Sequence, residues 1–169
     1  MERPTSFQFS RLCLVLGLLI STVGCDQATK AIARESLSFR TFSFLGDSLR
    51  LQHAENPGAF LSLGAEIQGQ MRFWVFTVGV ALFMAAALWV LLRKNSMPRS
   101  TTVALTLVVG GGIGNLIDRA LKGTVTDFIN VGIGWLRTGI FNVADMAIML
   151  GVAVLIYQSF KRDSFTETK

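Results

Sequence analysis

Two aspartates stand out by what surrounds them. Asp127 lies in "VTDFI" and Asp145 in "NVADMAI", each beside apolar residues, and neither has a basic residue three or four positions away. A carboxyl in such a setting is expensive to ionise. If the chain folds them together, the two carboxyls hold one proton between them, because two close negative charges are unfavourable. Such a pair can hold a water. The ionised member takes a proton from it while the other protonates or hydrogen-bonds the carbonyl under attack. That is peptide hydrolysis with no metal and no covalent intermediate. A proton relay or a plain structural contact would use the same two residues, and spacing leaves all three open. Only pair-level pKa values have meaning in a shared-proton site.

Other polar residues fall at spacings that group them. Asp26 and Lys30 are four apart and share a helical face. Asn115, Asp118 and Arg119 stand at i, i+3 and i+4. Asn142, as a helix N-cap, would set Asp145 in the first turn, where the helix end favours negative charge. Pairing Asp26 with Lys30, and Asp118 with Arg119, accounts for those charges as a structural network. Cys25 has no basic neighbour to make it a nucleophile, and Cys13 is expected to pack within a span. On one helix these two cysteines are about 18 Å apart at roughly 1.5 Å per residue, too far for a disulfide. There is no CxxC, and the single histidine, His53, is expected in a solvated loop. Neither a metal site nor a cofactor is indicated. "VVGGGIGN" lacks the Lys-Ser/Thr of a phosphate loop, so Gly110-x-x-x-Gly114 is expected to allow close helix contact.

The elements that must carry these residues follow from composition. The 169 residues are 51% hydrophobic and 16% charged, against about 25% charged in a soluble domain, and mean hydropathy is +0.50. Four segments are long and apolar enough to cross a bilayer: 12–33, 71–92, 101–121 and 142–160. The expected fold is an all-α membrane protein: four transmembrane helices with a small β-element, in one polytopic domain covering 1–169. Net charge is +5, but no basic stripe with interleaved aromatics argues for nucleic acid. Lys and Arg mark the N-terminal segment, the loop after the second span and the tail, which places those segments and both termini in the cytoplasm. The loops 34–70 and 122–141 then lie outside. Their alternating patterns, with turn signals at Gly46-Asp47 and Asn56-Pro57-Gly58, read as short strands. All the polar groups above then reach one level, the outer membrane boundary.

The run "LLISTVGC" resembles the end of a lipidated export signal. Thr22 stands where such signals usually carry Leu, Asp26 and Lys30 continue the helix past Cys25, and three more spans follow. The first span is expected to stay.

"DQATK", "NPGAF", "GGGIGNLIDR", "VTDFI" and "FNVADMAI" occur in this order along the chain. Together they resemble the lipoprotein signal peptidases, or signal peptidase II, over about residues 12–160. The resemblance implies an aspartic endopeptidase of the bacterial inner membrane, with its site on the periplasmic face. Its substrate would be a prolipoprotein already carrying diacylglycerol. It implies Asp127 and Asp145 as the catalytic pair. Asn56, Asn115, Arg119 and Asn142 match polar positions around substrate, and Asp26, Lys30 and Asp118 match supporting positions. Membrane phospholipid is the other expected partner, the antibiotic globomycin the expected inhibitor, and a monomer the expected state. The chain departs from the family at "NPGAFL", where many members read "NxGAAF", which moves Phe60 one position earlier. The competing reading is a small carrier or channel that relays protons through intramembrane carboxylates.

Overall fold

The computed structural model describes residues 6–58, 66–67 and 69–164, with backbone only for 6, 7 and 162–164. Phe60 therefore lies outside the described residues. Among the described residues, four helices are long and apolar enough to cross a membrane. The first is Ser6–Ser36, longer at both ends than its apolar run because polar turns continue it beyond the hydrocarbon. The second runs continuously over Gly69–Arg93, with a wider π-helical turn at Trp74–Gly79. The third is Arg99–Lys122 and the fourth Val143–Ser164.

The third helix is the centre of the bundle. In its apolar window 56% of residues are buried within the protein, against 11–17% for the other three. Glycine makes this possible. A side chain on Gly111 would strike the Ala144 carbonyl of the fourth helix, one on Gly112 would strike Met84 of the second, and one on Gly114 would come within 2.6 Å of the Asp26 carboxylate of the first. The expected close approach thus involves three neighbours rather than one. Apolar side chains on the other helices, such as Ile20, Leu82, Phe83, Met149 and Ile156, face outward, as lipid-facing residues do. Cys13 belongs to that outward surface and does not pack inside.

Among the described residues, four strands form one antiparallel sheet in the order β1-β2-β3-β4: β1 Phe42–Phe44, β2 Leu49–Asn56, β3 Val125–Ile133 and β4 Leu136–Arg137. The turn from β1 to β2 carries positive φ at Leu45, Gly46 and Asp47. Asp47 ties the turn to β2 and β4 by accepting from Ser43, Arg50 and Arg137, and Arg50 beside it holds its carboxyl well below the usual range. His53 is a strand residue bonded to Glu55 at 2.9 Å, not a solvated loop residue. β2 pairs with β3 from Leu49↔Val131 to Asn56↔Val125, with a register shift between Leu51 and Ala54. The shift sets Ala54 opposite Asp127. Gly123, at φ +79°, ends the third helix and turns the chain into β3. Ala33, Leu37 and Phe128 then form a small apolar core with Leu51, Ile129 and Val143. It fixes the sheet to the ends of the first and fourth helices.

Candidate active site

β3 begins buried: Val125, Thr126, Asp127 and Phe128 are all inside. It passes over the start of the fourth helix and brings Asp127 to Asp145. Asn142 joins them. Its side-chain Nδ2 donates to Asp127 Oδ1 at 2.6 Å, and its backbone N–H donates to Asp145 Oδ2 at 3.2 Å. The Asn142 side-chain oxygen in turn accepts the Asp145 N–H at 2.9 Å. This is a reciprocal capping box, so the cap that starts the fourth helix also aims the carboxylate. The remaining carboxylate oxygens take amides as well. Asn56 Nδ2 donates to Asp127 Oδ2 at 2.9 Å, and Asn115 Nδ2 donates to Asp145 Oδ1 at 2.9 Å. All five residues are buried.

Neither aspartate forms an ion pair among the described residues; their hydrogen-bond partners are neutral amides. Burial pushes the Asp127 carboxyl up to about 6, against the hydrogen bond from Asn56; the Asp145 charge adds to the rise, and the Asn142 amide opposes it.

A second cluster lies one layer deeper. Lys30 is fully buried, and its ammonium has three partners: Asp26 Oδ2 at 2.8 Å, Asn115 Oδ1 at 2.8 Å and Asp118 Oδ2 at 3.2 Å. Three N–H groups meet three acceptors. Asp26 also uses Oδ1 to accept the Ala144 N–H of the fourth helix at 2.9 Å, and Asp118 accepts the Thr126 N–H of β3 at 3.1 Å. The expected Asp26–Lys30 pair is present.

The expected Asp118–Arg119 pair is not. Neighbouring positions on a helix point about 100° apart, and Arg119 turns away to donate to the Gly58 carbonyl at 2.7 Å. Asp118 instead approaches Lys122 at 3.5 Å and Arg34 at 3.7 Å. Arg34 and Lys122 were not among the candidates. Their signal was available, since Arg34 continues the i+4 row of Asp26 and Lys30, and Lys122 stands at i+4 from Asp118. Thr126, also missed, lies at the junction with its hydroxyl near Arg34, Lys122 and Glu55. Nothing local in the sequence marks it.

Asn56 opens an Asx-type turn, its side chain accepting the Gly58 N–H at 2.9 Å. That turn carries Gly58 to Arg119. Arg119 also lines a cavity of about 210 Å3 with Pro57, Phe73, Phe76 and Thr77, so the cluster adjoins a space between the outer loop and the second helix. Among the described residues no group of three or more His, Cys, Asp or Glu is arranged to hold a metal.

Fold and site together define a multi-pass membrane protein whose buried carboxylates and amides gather at one end of its helical bundle. The comparisons narrow that class. The family described as Signal peptidase (SPase) II matches residues 18–161. A lipoprotein signal peptidase of Hydrogenovibrio crunogenus is 41% identical over 138 residues, covering 80% of this chain and 78% of its own. One from Paraburkholderia phymatum is 34% identical over 149 residues, covering 87% of each. A bacterial membrane enzyme solved by the in meso method at 2.3 Å resolution superposes with TM-score 0.77 at 27% identity, covering 92% of this chain and 93% of the other. This chain belongs to the signal peptidase II family, and it is therefore a protease.

Proposed function

We propose that this chain cleaves the signal peptide from diacylglyceryl-modified bacterial prolipoproteins, and that Asp127 and Asp145 activate the water. One observation carries the reading. Asn142 holds both carboxylates at once, through its side chain and its backbone N–H, and no described cation pairs with either. Carboxyls placed side by side without cations keep a proton between them. A base and an acid are then available in the same site.

The step balances within that pair. The ionised carboxylate takes a proton from water, and the water oxygen bonds to the scissile carbonyl carbon. The protonated carboxyl donates to the carbonyl oxygen. The tetrahedral intermediate then breaks its C–N bond: the carboxyl that took the water's proton passes it to the leaving amine, and the other carboxylate recovers its proton from the hydroxyl as the C=O re-forms. The pair ends with one proton, as it began. Asn56, Asn115 and Asn142 hold the carboxylates in place, and Arg119 reaches Gly58 where the outer loop would meet the substrate backbone.

The sheet would cradle the peptide above the scissile bond, while the outward apolar faces of the helices leave the substrate's lipid in hydrocarbon. Membrane phospholipid surrounds the rest. Globomycin would compete for this site as a substrate mimic. We read the chain as acting as a monomer. Arg11, Arg93, Lys94, Arg99 and Lys161 stand at the end opposite the carboxylates. They support cytoplasmic termini and a periplasmic site in the inner membrane.

The test is cleavage of a diacylglyceryl peptide by purified Asp127→Asn and Asp145→Asn, with and without globomycin. Both variants should insert and leave the lipid-modified precursor uncut. Full cleavage by either removes the dyad, and ion flux with normal processing would point to a carrier.

A further inference from the structure

At the opposite end of the bundle a cavity of about 280 Å3 opens between the first and third helices. Ser10, Arg11, Leu14, Met97, Arg99 and Thr102 line it. We propose that it binds the phosphate of an anionic phospholipid headgroup, with Arg11 and Arg99 as the principal cations.

Arg11 is anchored but not neutralised. Its Nη2 donates to the Leu91 carbonyl at 2.6 Å and its Nη1 to Asn95 Oδ1 at 3.0 Å. Both acceptors are uncharged, so the cation keeps its full attraction for an anion. Its Nε–H is buried with no partner among the described residues. Nη1 and Nη2 each keep one further N–H, so the fixed guanidinium presents two oriented charged donors of the kind that suit phosphate.

Arg99 comes from a different element. It opens the third helix directly after Pro98, with no side-chain cap and no acidic residue in the first turn. The free N–H groups of that turn therefore add positive potential beside the two arginines. A second cavity, sharing Met97, carries Lys94 and Lys161 on its wall. Among the described side chains at this end, five are cationic and none is acidic.

The apolar part of the site selects a lipid over a free anion. Leu14 and Met97 line the cavity below its polar rim. On the other side of Arg11 a further cavity runs along Leu12, Val15, Leu91 and Leu92. Phe9, Leu12 and Leu16 expose their side chains on the adjoining outer surface. A headgroup phosphate held by two arginines would lay its acyl chains along this surface, as expected for basic pockets between helices at a membrane boundary.

Thermal unfolding in nanodiscs tests the proposal. Discs of phosphatidylglycerol should raise Tm over discs of phosphatidylcholine by about 3 °C or more. Arg99→Gln should remove at least half of that difference, and Arg11→Gln with Arg99→Gln all of it. The single variant is decisive, because the Arg99 side chain makes no hydrogen bond or ion pair to the described residues and its loss should leave the fold intact in phosphatidylcholine. Equal Tm in the two lipids, or an undiminished difference in Arg99→Gln, overturns the site. Inorganic phosphate added to phosphatidylcholine discs should do nothing. If it reproduces the shift, the site takes a soluble anion and the lipid assignment fails.

Discussion

Two pairs of buried aspartates sit within a few residues of each other in this fold, and they are held differently. Asp26 and Asp118 share one buried ammonium, Lys30, and Asp118 has Lys122 and Arg34 nearby. Asp127 and Asp145 are held by amides from Asn56, Asn115 and Asn142. Cations fix a carboxylate in its charged form and tie it to the scaffold. Amides also favour the charged form, but at Asp127 burial outweighs them. The first pair therefore braces the helices through its cations, and the second, on the proposed mechanism, exchanges a proton. Location alone would not separate them, since both are buried at the same end of the bundle.

The largest effect expected from this contrast is on chemistry. Asp127→Asn or Asp145→Asn keeps shape and removes the exchangeable proton. Cleavage in single-turnover assays should fall about 10²–10⁴-fold, while both variants stay folded, with unfolding of Asp127→Asn compared with the parent at about pH 4, where the Asp127 carboxyl is protonated in the fold. The mirror-image change is Lys30→Met. It leaves two buried carboxylates around a lost cation, so it should destabilise the protein by about 3–5 kcal/mol, read by unfolding in detergent. Adding Asp26→Asn should recover part of that loss. A Lys30→Met protein of parental stability that has lost only cleavage would erase the distinction between the two pairs.

A smaller effect follows from pH. The Asp127 carboxyl lies near 6 in the fold against 3.8 when unperturbed. Between those values the folded protein keeps a proton that the unfolded chain has released. Stability is full below about pH 4 and declines as pH rises through about 6, by about 3 kcal/mol in all. Asp127→Asn should abolish this slope. Unfolding free energies of parent and variant across pH 4–7 give the comparison, and a constant gap between them would mean that Asp127 does not hold the proton.

The sequence displayed much of this, because much of it is periodic. The four spans show in the length of the apolar runs, and the Asp26–Lys30 pair in its i+4 spacing. Asn142 as an N-cap with Asp145 in the first turn shows in their i, i+3 spacing, while the reciprocal bonds of the capping box appear only in the fold. The Asp118–Arg119 pairing fails because the partners of Asp118 are set by packing across elements, and adjacency to Arg119 in sequence is not adjacency on a helix. The meeting of Asp127 with Asp145 depends on the β2–β3 register, the shift between Leu51 and Ala54, and the turn at Gly123. None of these has a local signature that fixes where β3 must land. The ordered motifs pointed to the two aspartates, but the amides that bridge them are a property of the assembled fold.

Asn115 belongs to both regions and offers the finest test of their separation. Its Oδ1 accepts from Lys30 at 2.8 Å and from Asn142 at 3.1 Å, while its Nδ2 donates to Asp145 at 2.9 Å. Asn115→Ala leaves Lys30 with its two carboxylates and takes one donor from Asp145. We expect a stability loss of about 1–3 kcal/mol, the range for a buried group left unsatisfied. The fall in kcat should be about tenfold with KM unchanged, since a positioning residue acts on the bonded carboxylate and not on substrate affinity. Two double-mutant cycles on stability then divide the effect. Coupling of Asn115→Ala to Lys30→Met and to Asp145→Asn should each be about 1 kcal/mol. If coupling appears with Lys30 alone, Asn115 is part of the bracing cluster and Asp145 is insulated from it. If it appears with both, the charge fixed at Lys30 reaches the proton-exchanging pair through a single amide, and the two regions differ in role while remaining one network.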